Sequence, residues 1–122
     1  MSKKHHVFLI VEAGQTGLST RKMILEAAGY NVLSAVTCGD ALAMSKQHPT
    51  DAVLFDIDVR DMPARELLSR LKQERPDRPI FLLASRPWAP DELKGLVDGV
   101  FDKMEDPHHM VSSLDWHFGP KS

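Results

Sequence analysis

Short, wholly apolar runs separated by longer amphipathic stretches constrain this chain more than any other feature. Val7–Val11, residues 52–55 and Ile80–Ala84 each hold four or five residues with no polar side chain. A run of that kind suits a strand buried on both faces of a parallel sheet. Residues 30–36 read as a less apolar strand nearer an edge, and residues 100–101 as a brief fifth one.

Helices are expected between the strands. Thr16 or Ser19 is expected to cap the first, which runs through Met23, Ile24, Ala27 and Ala28 and closes on Gly29 in the left-handed conformation. Thr37 caps a second over residues 38–48, with Ala41, Leu42 and Met44 inward and Pro49 as its stop. Pro63 opens a third carrying Leu67, Leu68 and Leu71, and Pro90 a short fourth through Leu93, Leu96 and Val97. Asp106 and Pro107 start the last, with Met110, Val111, Leu114 and Phe118 inward. The alternation predicts an α/β fold, a parallel sheet with helices on both faces, because each right-handed crossover lays its helix over the sheet.

At 122 residues the chain reads as one domain, with a core over about residues 6–118. Its 15 basic and 17 acidic side chains nearly cancel, which argues against direct nucleic-acid binding and against an anionic membrane as partner. The basic side chains of Arg70, Lys72, Arg75 and Arg78 are diluted by Glu74 and Asp77, and are expected to be solvated. A single cysteine, Cys38, and the lack of a long apolar segment fit a cytoplasmic protein. The adjacent histidines His5–His6 and His108–His109 have no completing cysteine or carboxylate pattern, so they are expected to be solvated.

In folds of this class ligands meet the carboxyl ends of the strands. Glu12, Asp56, Ala84 and Lys103 all stand just after predicted strands and are expected to converge there. In this respect the chain resembles the response-regulator receiver family over nearly its whole length. Phe8 to Glu12 resembles the family's first strand and opening acid. Asp51 to Asp56 resembles the third strand and phosphoacceptor, followed at family spacing by Met62, Glu66 and Leu67. Pro79 to Ser85 resembles the fourth strand, and Phe101-Asp102-Lys103 the fifth with its lysine. The resemblance implies a flavodoxin-like, doubly wound five-stranded parallel sheet with a shortened fourth-helix region. It also implies two-component signalling, in which a histidine kinase or phosphotransfer protein passes a phosphoryl group to Asp56 and a downstream protein partner reads the result.

Attack of a carboxylate on an anionic phosphoryl group needs positive charge nearby. The resemblance assigns Lys103 to contact the phosphate, and Glu12, Asp56 and the carbonyl of Asp58 to hold Mg2+. The second acid of the family's pair is replaced by Ala13, so the ion is expected to be weakened or absent. The Asp58 side chain is either a solvated loop acid or a replacement ligand.

The switch positions are altered as well. The family's hydroxyl at the end of the fourth strand is Ala84, and Ser85 beside it is expected to face away unless the strand bulges. The aromatic three residues before the lysine is Val100, with Phe101 expected on the other face. Met104 stands where the family has a proline after the lysine, which is expected to re-aim Lys103. Trp88, between Pro87 and Pro90, reads equally as a partner anchor or as a lid packed on the fold.

Two non-enzymatic readings stay open: a phosphorylatable receiver, limited as a catalyst to its own phosphorylation and dephosphorylation, and a phosphorylation-independent pseudo-receiver acting as an interaction module. The string from Ala52 to Asp58 also resembles the first motif of haloacid-dehalogenase-like phosphatases, which would make the chain an enzyme.

Overall fold

The computed structural model describes residues 6–85 and 88–118. Five parallel strands, β1 (Val7–Val11), β2 (Asn31–Ala35), β3 (Ala52–Asp56), β4 (Ile80–Ala84) and β5 (Gly99–Asp102), form one sheet in the order β2-β1-β3-β4-β5. The less apolar β2 is indeed an edge strand, and the fully buried β3 is central.

Four helices connect or follow the strands: α1 (Gln15–Ala27), α2 (Cys38–Gln47), α3 (Ala64–Glu74) and α4 (Pro107–Phe118). Alternation along the strands divides the core. Leu9, Val11, Val53, Phe55, Ile80 and Leu82 pack with residues of α2 and α3, whereas Phe8, Ile10, Leu54, Phe81 and Leu83 pack with α1 and α4. Carboxylates clamp two strand entries, since the Val7 N–H donates to Asp51 at 2.8 Å and the Ile80 N–H to Asp98 at 2.8 Å. Among the described residues no helix is long and apolar enough to cross a membrane.

Thr37 caps α2 as expected, its hydroxyl accepting from the Asp40 N–H at 3.0 Å. Gly29 takes φ +102° after α1, the left-handed conformation anticipated for it. The start and phase of α1 differ from expectation. Gly14 is its N-cap with no side-chain bond, so Thr16 and Ser19 lie inside the helix. The buried stripe is Leu18, Arg21 and Leu25, leaving Met23 67% exposed. An arginine on the inward stripe breaks the apolar periodicity and hides the true phase.

The segment after Pro90 forms a single 3-10 turn over Asp91–Leu93 in place of the expected short helix. Gly95 then takes φ +91° and Lys94 bridges Val97. The apolar contacts survive without the helix, because Leu93 is buried and Leu96, Val97 and Val100 pack on the same core cluster.

Arg78 is buried rather than solvated. Its guanidinium donates to the Thr50 hydroxyl (3.0 Å), the Ser45 hydroxyl (3.2 Å) and the Leu71 carbonyl (3.0 Å), and so ties α2, α3 and the entry to β3 together. Burial pulls its pKa below the ordinary arginine value, while the charge of Glu74 works the other way.

Candidate functional site at the strand ends

Asp56 closes the central strand and is 2% exposed. The β1–β3 register pairs Val11 with Phe55, so the next residues, Glu12 and Asp56, stand side by side beyond the sheet. Lys103 follows β5, and its backbone N–H donates to the Ala84 carbonyl at 2.8 Å. The residues that the sequence scatters are therefore gathered by parallel strands ending at one rim.

Lys103 Nζ lies 3.0 Å from Asp56 Oδ1 and 3.1 Å from Asp58 Oδ2. The Asp58 backbone N–H also donates to Asp56 Oδ1, at 2.9 Å. Burial pulls Lys103 down, but the hydrogen bonds and charges of Asp56 and Asp58 outweigh it and hold the ammonium above the ordinary lysine range. The Asp58 side chain is 54% exposed and also within 3.5 Å of Arg60, so this loop acid is paired with cations on two sides. Although Met104 replaces the family's proline, Lys103 reaches Asp56 all the same.

Glu12 is 2% exposed and pairs with Arg21, whose Nη1 is 2.5 Å from Glu12 Oε2. Arg21 Nη2 donates to the Lys103 carbonyl at 3.2 Å. Gly17 makes room for this pair, since a Cβ there would stand 2.6 Å from Glu12 Oε2 and 2.9 Å from Arg21 Nη1. Burial pushes the Glu12 carboxyl up against the opposing pull of Arg21. Sequence reasoning missed both Arg21 and Gly17. The spacing of Leu18, Arg21 and Leu25 is the signal that would have placed the arginine inward.

Ala84 ends β4 and carries no hydroxyl, as the sequence indicates. Ser85 lies beyond the strand, so strand alternation does not govern it. It lines, with Ala84, a cavity of about 400 Å³ shared with Ile57, Asp58, Arg60, Trp88 and Pro90. Trp88 is 57% exposed on that wall. Val100 packs with the α3-side core, while Phe101 stacks on Phe81 across the sheet, 5.2 Å between ring centroids, as expected. Among the described residues no three His, Cys, Asp or Glu side chains group as a metal site. His108 and His109 are exposed, His6 is partly buried against Phe118, and His5 lies outside the described residues.

Residues 8–114 match the response regulator receiver domain family. The chain is 29% identical over 85 residues to a probable transcriptional regulatory protein, TcrX, of Mycobacterium tuberculosis, covering 70% of this chain and 36% of that protein. It is 25% identical over 101 residues to the cell cycle response regulator CtrA of Brucella ovis, covering 83% and 44%. The chain thus spans less than half the length of these relatives. A CheY-like receiver domain protein of Methanospirillum hungatei superposes with a TM-score of 0.81 at 27% identity, covering 93% of each chain. The chemotaxis regulator CheY4 of Vibrio cholerae shares the fold, with a TM-score of 0.84 at 21% identity over 91% of this chain and 97% of its own. The aspartates at and just beyond the end of β3 consequently belong to a receiver and not to a haloacid-dehalogenase-like phosphatase, whose motif follows a first strand. With its sheet order, its gathered acids and lysine, and this match, the chain belongs to the response regulator receiver domain family of two-component signalling.

Proposed function

We propose that Asp56 is the phosphoacceptor of this receiver and Lys103 its phosphate-contacting cation. The observation that carries this reading is the Lys103 ammonium 3.0 Å from Oδ1 of a buried aspartate at the end of the central strand. Both hydrogen bonds to Asp56 fall on Oδ1, which leaves Oδ2 as the attacking oxygen. With a phosphohistidine donor, Oδ2 forms the new O–P bond as the P–N bond breaks and its electron pair leaves on the imidazole nitrogen. Lys103 offsets the charge that gathers on the phosphoryl oxygens.

Receiver domains typically bind Mg2+ at this site, where the ion supplies further positive charge. The acids here do not fit it well: Ala13 offers no ligand, Glu12 Oε2 is committed to Arg21, and the Asp58 side chain faces Lys103. Binding through Glu12, Asp56 and the Asp58 carbonyl is therefore weak or absent in this proposal.

The donor is a histidine kinase or phosphotransfer protein, and the output passes through protein contacts, with exposed Trp88 beside the altered Ala84 as one contact point. The near-balanced charge supports a chain that does not touch nucleic acid itself, and the single cysteine, Cys38, supports one that acts in the cytoplasm. Acetyl phosphate tests the chemistry: intact mass should gain one phosphoryl group, lost in Asp56→Asn. No adduct from acetyl phosphate or a kinase would favour a pseudo-receiver, the reading that Ala84 and Val100 support.

A further inference from the structure

The pocket carries a cation of its own where the family's acids would gather a metal. Arg21 reaches it from the inward face of α1 and is held at two points, Glu12 Oε2 beyond β1 and the Lys103 carbonyl beyond β5. Its side chain is 10% exposed, so water screens its charge poorly. We infer that Arg21 is the resident counter-ion of this pocket and keeps divalent cations out of it. The inference does not depend on whether Asp56 takes phosphate.

Three observations carry it. Each buried acid already has a monovalent partner, Glu12 with Arg21 and Asp56 with Lys103, so no pair of free carboxylates is left to attract a double charge. The one oxygen of Glu12 left open, Oε1, is buried without a hydrogen-bond partner. A metal on that oxygen would stand beside the guanidinium bound to its twin, where like charges repel strongly at low dielectric. Finally, the pair is built in, because Gly17 supplies the bare backbone against which both groups sit and a Cβ there would collide with both. An arginine that had merely drifted onto an empty metal site would not need a glycine seat.

Manganese, a paramagnetic stand-in for magnesium, tests this on the full chain through water-proton relaxation, with no phosphoryl donor present. The native protein should show no saturable enhancement in the millimolar range. Arg21→Gln should gain a site at least about tenfold tighter, the scale of removing one adjacent charge, and Glu12→Gln added to it should lose that site again. Arg21→Lys, which keeps the charge, should stay metal-free. Saturable binding by the native protein that magnesium displaces and Asp56→Asn abolishes would overturn the inference. So would a folded Arg21→Gln that gains nothing. Should Arg21→Gln fail to fold, Arg21→Met, which keeps the length of the side chain without its charge, takes its place with the same gain expected and the same absence of gain overturning the inference.

Discussion

Gly17 lies so close to Glu12 that a Cβ added to it would stand 2.6 Å from Glu12 Oε2. In an exposed helix interior, alanine for glycine gains about 1 kcal/mol. Here the added methyl also meets Arg21 Nη1 at 2.9 Å, so the two ends of a buried ion pair must shift to admit it. Gly17→Ala should therefore reverse the usual sign and lose about 1–3 kcal/mol, read from urea denaturation midpoints. A variant as stable as the native protein would show that the pair is not seated on this backbone.

Arg78 gives the clearest stability test away from the pocket. Truncation to alanine leaves the Thr50 hydroxyl without its guanidinium donor in a buried site, while the Leu71 carbonyl keeps the Arg75 N–H and the Ser45 hydroxyl keeps Glu74. The expected cost is about 1–3 kcal/mol for the one hydroxyl left unsatisfied. Equilibrium unfolding of Arg78→Ala measures it, and a loss under about 0.5 kcal/mol, the size of an ordinary surface change, would return Arg78 to the solvated class.

Asp61 reaches across from the loop after β3 to the start of α2, accepting the Cys38 N–H at 2.7 Å and the Gly39 N–H at 3.1 Å. These backbone bonds hold its carboxyl below the usual aspartate range. With the folded pKa depressed, its stabilisation is full above the unfolded pKa and fades as pH falls through the folded one. Asp61→Ala should cost about 0.5–1 kcal/mol at neutral pH, the lower part of the capping range because the side chain is exposed. The difference from the native protein should shrink in acid, and a gap independent of pH would rule out the charged cap.

Cys38 is fully buried, and its thiol is pushed up to about 12 by burial first and then by the hydrogen bond and charge of Asp61. Since the thiolate is the nucleophile, the native protein should resist an aromatic disulfide reagent at pH 8 and react at once in denaturant. Rapid labelling without unfolding would contradict this burial.

Most of the architecture was legible in the sequence because strand and helix periodicity is a local property. The continuous apolar runs at β1, β3 and β4, the Thr37 cap, the Gly29 closure and the leucines of α3 read correctly for that reason. The gathering of Glu12, Asp56 and Lys103 also followed, since parallel strands must end at a common rim. Only the tertiary structure decided which charged groups would be paired inside. Arg21 went unnoticed in the first helix, and Arg78 read as part of a solvated basic stretch, because their partners lie on other elements. A buried charge is tolerated only where specific acceptors converge on it, and that convergence exists only once the chain has folded.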